Sequence, residues 1–131
     1  MNKMFPMLLL LSLVLTGCAA SVPASEANTY RRITMPEAVK MMGQEENYII
    51  LDVRTEQEYA AGHIPGAIVI PNETIGTEEI PQLPDKDQLI MVYCRSGNRS
   101  RQASDKLVKL GYTNIIEFGG INSWPGEIVT D

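Results

Sequence analysis

Short, almost continuous apolar runs recur along this chain and are separated by stretches that carry helix or turn signals. Tyr30–Ile33 predicts a short strand. Thr34 then caps a helix with Pro36 in its first turn, running through Ala38, Val39 and Met42 to a stop at Gly43. Tyr48–Leu51 is a fully apolar strand with Asp52 at its C-terminal end, and Thr55-Glu56-Gln57-Glu58 is a capping box opening a short helix through Tyr59 and Ala60. The turn-rich link Gly62-His63-Ile64-Pro65-Gly66 leads into a strand over Ala67–Ile70, which Pro71 ends. Asn72–Lys86 is polar, carries Pro81 and Pro84, and predicts one short helix between loops. Leu89–Tyr93 is a fourth strand. A helix over about Ser100–Leu110 follows, with Ala103, Leu107 and Leu110 on one face and Gly111 at its end. Ile115–Phe118 is the last strand, with a small turn around Trp124 behind it.

Apolar strands alternating with helices imply an α/β fold whose mostly parallel sheet is covered on both faces. Such sheets bind ligands beyond the C-terminal ends of their strands. Asp52 and Cys94 both stand at that edge, which predicts a common crevice for residues far apart in sequence. Residues 30–131 have the length of one domain of about 100 residues.

The N-terminal residues have a different character. Lys3 precedes an apolar stretch, Phe5–Leu15, that is too short to span a bilayer, and Leu15-Thr16-Gly17-Cys18 follows. This resembles a bacterial lipoprotein signal, which implies a signal peptide over 1–17, lipidation of Cys18 with chains such as palmitate, and a flexible Ala- and Ser-rich tether over 18–29. An ordinary cleaved secretory signal or a retained anchor remains an alternative. The lipoprotein reading puts the domain in the bacterial cell envelope, on the periplasmic side or the cell surface.

Charge narrows the partners. The chain carries 11 basic and 16 acidic residues, and removal of Lys3 with the signal leaves 10 against 16. That balance argues against nucleic acid. Yet Gln88–Ser104 contains no acidic residue and gathers Arg95, Arg99 and Arg101, a local attraction for anions on an acidic protein. If Cys18 carries lipid, Cys94 is the one thiol left, in a compartment where cysteines usually pair. Its Arg, Ser and Gly neighbours predict an accessible, reactive sulfur rather than an inert one among apolar side chains. The methionines at 35, 41, 42 and 91 read as core filling, and no thiolate or imidazole cluster suggests a metal or other cofactor.

The segment Cys94-Arg95-Ser96-Gly97-Asn98-Arg99-Ser100 sits where a strand empties into a helix N-terminus. Unpaired N–H groups of a first helical turn, the helix dipole and the guanidinium groups of Arg95 and Arg99 all favour a thiolate there. The segments Leu51-Asp52-Val53-Arg54, Glu58-Tyr59, Gly62–Ala67 and Val92–Ser100, in this order, resemble the signature segments of a single-domain rhodanese over about Tyr30–Trp124. The resemblance implies a small three-layer domain with a central, mostly parallel five-stranded sheet flanked by helices, and a catalytic Cys94 that carries sulfur as a persulfide. Backbone N–H groups from Arg95 to Ser100 would cradle the anionic sulfur, with Gly97 allowing the tight turn, Arg99 adding positive charge and Arg95 receiving the donor at the mouth. Asp52 and Arg54 are expected to brace the strand end. His63 is expected in a structural turn rather than as a general base, and Trp124 either lines the rim or packs.

The implied reaction moves sulfane sulfur from thiosulfate or another small anionic donor to cyanide or a thiol, with no cofactor. Two other readings stay open: a persulfide relay or binding module serving an envelope protein, and a phosphatase or arsenate reductase. The last requires a loop longer by one residue, with Arg at position 100, where Ser100 stands.

Overall fold

The structure is a computed structural model that describes residues 28–131; Cys18, the 1–17 segment and most of the 18–29 tether lie outside the described residues. Strands β1 (Arg31–Arg32), β2 (Tyr48–Asp52), β3 (Ile68–Val69), β4 (Leu89–Cys94) and β5 (Ile115–Gly120) form one sheet in the order β1-β5-β4-β2-β3. Every neighbouring pair is parallel. Helices α1 (Met35–Gln44), α2 (Glu56–Ala61) and α3 (Asn98–Lys109) connect them, so the expected five-stranded three-layer α/β fold is present.

Both capping boxes are closed. Thr34 Oγ1 accepts from the Glu37 N–H and Thr55 Oγ1 from the Glu58 N–H, while each glutamate reaches back to its threonine N–H. The edge strands β1 and β3 are only two residues long, shorter than the expected Tyr30–Ile33 and Ala67–Ile70, and each has a ladder on one side alone. Within 72–86 the expected short helix is a single 3-10 turn, Asn72–Thr74, after which Ile75, Ile80 and Leu83 drop into the core. Helix α3 begins at Asn98, two residues before the expected start. Gly97, with φ +112°, turns the chain straight from the loop into helical geometry.

Side-chain alternation divides the core into two layers. Ile90, Val92 and Cys94 of β4 face α3, with Leu51, Val53, Ala103, Leu107, Tyr112 and Ile115. Met91 and Tyr93 face α1, with Met35, Ala38, Ile50 and Phe118, and Met41 and Met42 pack at the margin as the expected core filling. The two strongly buried layers hold the central strands rigid, and the C-terminal ends of β4 and β5 inherit that rigidity.

Candidate active site

Cys94 is the last residue of β4, and the strand's parity points its sulfur toward the start of α3. The chain then folds back over the sulfur. The Gly97 N–H donates to Sγ at 3.0 Å, and Ser100 Oγ lies 3.4 Å from it. A residue other than glycine at 97 would be strained in the left-handed region. The loop also rests directly on the end of β5: a Cβ on Gly120 would stand 2.0 Å from the Arg95 carbonyl oxygen. From the turn Ile121–Ser123 beyond it, the Asn122 N–H donates to that same oxygen at 3.2 Å.

The thiol is 1 % exposed, so it is not the open thiol that its sequence neighbours suggest. Its surroundings are nevertheless polar. Burial alone would raise the thiol pKa; hydrogen bonding with the Ser100 hydroxyl, together with the N–H groups of Ser100, Gly97 and Ser96, outweighs it and holds Cys94 below the ordinary thiol value. The amides and one hydroxyl thus do most of what sequence reasoning assigns to guanidinium charge.

The arginines are placed differently from one another. Arg99 is engaged by Glu58 of α2, with Nη1 to Oε1 at 2.6 Å and Nη2 to Oε2 at 3.0 Å. That pair, led by the Arg99 hydrogen bonds and opposed by burial, lowers the Glu58 carboxyl from an ordinary 4.5 to about 2. The positive charge expected from Arg99 is therefore largely answered by a carboxylate that the sequence identifies only as a helix cap. Arg101 turns back to the loop, donating to the Gly97 carbonyl at 3.1 Å and to Asn98 Oδ1 at 2.6 Å. Arg95, Ser96 and Asn98 stay exposed at the mouth, whereas Ser100 is fully buried.

Asp52 and Arg54 do not share the crevice. Asp52 pairs in register with Tyr93, and successive residues of β4 point to opposite faces, so the carboxylate lies on the α1 side while Cys94 faces α3. Arg54 donates to both Asp52 oxygens, with Nη2 to Oδ2 at 2.7 Å and Nε to Oδ1 at 3.0 Å, and its Nη2 also reaches the Gly62 carbonyl at 2.7 Å. Tyr93 Oη, whose pKa burial raises, donates to Asp52 Oδ2 at 2.7 Å. This assembly ties β2, β4 and the 62–67 link together. His63 is also committed: it stacks on Tyr59 at 3.7 Å, its Nδ1 lies 2.9 Å from the Tyr59 carbonyl, and its Nε2 meets Asp131. Trp124 is half-buried against the α1-side core and donates to the Glu127 carbonyl at 3.0 Å.

One buried group at the site has no counterpart among the sequence candidates. Glu117 lies in the apolar run Ile115-Ile116-Glu117-Phe118 of β5, an interior strand, and is 2 % exposed. Its Oε1 accepts from Ser100 Oγ at 2.7 Å and from the Gly119 N–H at 2.9 Å, and its Oε2 from Arg32 Nε at 3.3 Å. A lone acidic residue inside an apolar strand is the signal that could have revealed it.

Chemically, the arrangement can hold a sulfur anion at the end of a rigid strand beneath a set of N–H donors. The model of the rhodanese-like domain matches residues 34–127. The thiosulfate sulfurtransferase PspE of Escherichia coli is 37 % identical over 71 residues, covering 54 % of this chain and 68 % of that protein. The thiosulfate sulfurtransferase GlpE of Pseudomonas entomophila is 33 % identical over 103 residues, covering 75 % and 91 %. Among solved structures, a rhodanese-related protein from Thermoplasma volcanium superposes with a TM-score of 0.64 at 30 % identity, covering 78 % of this chain and all of that one.

Proposed function

This chain belongs to the rhodanese-like domain family, and from that premise we propose that it is a sulfurtransferase that takes sulfane sulfur from thiosulfate or a related anion and passes it, through a persulfide on Cys94, to a thiol or cyanide. The observation that carries the reading is the cradled sulfur, held below the ordinary thiol pKa by the Ser100 hydroxyl and the loop N–H groups. In the first half-reaction the Cys94 thiolate attacks the outer sulfur of thiosulfate. A new S–S bond forms, the old one breaks, and sulfite leaves with its electron pair. In the second, the acceptor attacks the outer sulfur of the persulfide and the Cys94 thiolate departs. The relatives named as thiosulfate sulfurtransferases support this donor, and exposed Arg95 at the mouth is suited to receive its sulfonate end. Against a phosphatase, the loop from Cys94 to Arg99 has six residues, and Arg99 is spent on Glu58 rather than turned into the cradle.

Mass spectrometry after thiosulfate treatment tests the reading. Wild type is expected to gain about 32 Da, one sulfur atom, on Cys94 and to lose it to cyanide. A Cys94→Ser protein gains nothing. Discharge only by a protein acceptor would instead favour a relay serving an envelope partner, and absence of the gain would reject sulfur transfer from this donor.

For location, the Leu15–Cys18 box supports a lipid anchor on Cys18. Near the start of the domain, the Asn28 side chain donates to the Tyr112 carbonyl at 2.6 Å, beyond the C-terminal end of α3. The Cys94 loop sits at the other end of that helix, about 18 Å away. Palmitate labelling that is lost in Cys18→Ser is the expected result; labelling that persists would reject the anchor.

A further inference from the structure

Ser100 has one hydroxyl proton and several acceptors. Glu117 Oε1 is nearest at 2.7 Å, the Gly97 carbonyl lies at 3.0 Å, and Cys94 Sγ and the Gly119 carbonyl each lie at 3.4 Å. A hydrogen bond to an ionised acceptor is the stronger and shorter kind, so an ionised Glu117 wins that proton. When it does, the sulfur sees the lone pairs of Ser100 and can only donate to them as a neutral thiol.

We propose that Glu117 is a positioning residue for Cys94 that acts through Ser100. As a carboxylate it keeps the Ser100 proton from the sulfur; on taking up a proton it donates to Ser100 Oγ and frees the hydroxyl to turn to a Cys94 thiolate. One proton thus serves two buried acids. It sits on sulfur while Glu117 is ionised, or on Glu117 while the sulfur is ionised, and it can pass between them by two concerted hops through Ser100 without any heavy atom moving.

The placement of Glu117 supports this over simple bracing. It shares strand parity with Ile115, on the face that packs on α3, where the pattern calls for an apolar side chain. A Cβ added to Gly97 would come within 3.8 Å of its Oε1, so the carboxylate lies directly beneath the loop. The charged groups around the pair are Arg32 of β1, on Glu117 Oε2; Arg99 of α3 with its partner Glu58 of α2; Glu73 of the 72–74 turn, which acts on Arg99 from farther away; and Arg101, held on the Gly97 carbonyl. Of these, Arg32 alone bonds the Glu117 carboxylate, and it is 61 % exposed.

The inference shares only the reactive thiol with the sulfurtransferase reading. Iodoacetamide alkylation needs no sulfur donor, so failure here and failure of sulfur transfer are told apart. The measurement is the rate of Cys94 alkylation against pH in folded protein. Glu117→Gln removes the competing acid and lets the hydroxyl face the sulfur, so the onset is expected about one pH unit lower, with roughly tenfold faster reaction near pH 6. Arg32→Gln removes the positive charge that favours the Glu117 carboxylate, so the shared proton moves toward Glu117 and away from sulfur, and the reaction is expected to quicken about twofold in that range. In a Ser100→Ala background most of the Glu117→Gln acceleration is expected to vanish. A Glu117→Gln profile that superposes on wild type would overturn the proposal, as would an acceleration kept in full without Ser100. Should Glu117→Gln fail to fold, the exposed Arg32→Gln decides, and an unchanged profile there would also reject it.

Discussion

Two buried carboxylates stand near the C-terminal edge of this sheet, and they are used in opposite ways. Asp52 is saturated: Arg54 grips both oxygens, the Arg54 N–H and the Tyr93 hydroxyl complete its shell, and the arginine is spent on the Gly62 carbonyl as well. Nothing in that assembly has a choice of partner. Glu117, on the other face, is bound through a hydroxyl that has several acceptors for one proton, one of them the sulfur of Cys94. A closed network fixes geometry, whereas one with fewer protons than acceptors can change state without moving its atoms. The difference separates the brace from the reactive end of the fold, although both are acidic side chains at strand ends.

The sharpest way to break the contrast is Asp52→Asn. It leaves the Arg54 guanidinium buried without its counter-charge, and a loss of about 3 kcal/mol in unfolding free energy is expected in denaturant titration. Cys94 alkylation in the protein that stays folded should be almost unchanged, since the carboxylate lies on the opposite face. Ser100→Ala should do the reverse. Its expected cost is about 1 kcal/mol, while alkylation of Cys94 slows roughly fivefold because one of the donors to the thiolate is gone. Equal effects of both substitutions on both readouts would erase the distinction.

Glu58→Gln gives the smallest effect and sharpens the electrostatics. Releasing Arg99 lets its charge act on the sulfur, and alkylation is expected to quicken about twofold. The pH range of that effect follows from the pair. Because the folded carboxyl is lowered to about 2 from an ordinary 4.5, the pair's contribution is fully present above 4.5 and is lost as pH falls through about 2. The pair is therefore intact throughout neutral pH, and the twofold difference is expected wherever Cys94 is incompletely ionised, fading as both thiols become fully ionised; equal rates at every pH would mean that the Arg99 charge does not reach the sulfur.

Much of the site is legible in the chain because it is local. The strand ending at Cys94, the positive-φ glycine at 97 and the first turn of α3 are consecutive, so their residue types alone place N–H donors around a sulfur. The capping boxes at Thr34 and Thr55 are equally local. Distant partners are harder to read. Glu58 reads as a cap, and nothing within its helix says that Arg99, 41 residues on, will take its carboxylate. Asp52 and Cys94 share an edge in the strand pattern, yet facing depends on register and parity across β2 and β4, which put them on opposite sides of the sheet.

The sequence by itself determined an α/β chain with apolar strands, a thiol at a strand-to-helix junction and the family to which that junction belongs, because hydrophobic period, caps and turn residues act over a few positions. Only the tertiary structure decided the thiol's surroundings. Strand order sets β5 beside β4, and the close approach at Gly120 brings the loop down onto it. The packing of α3 over the same face then buries Cys94, Ser100 and Glu117 together. Competition for one proton exists only where groups far apart in the chain are forced into contact and shielded from water, and that is a property of packing rather than of composition.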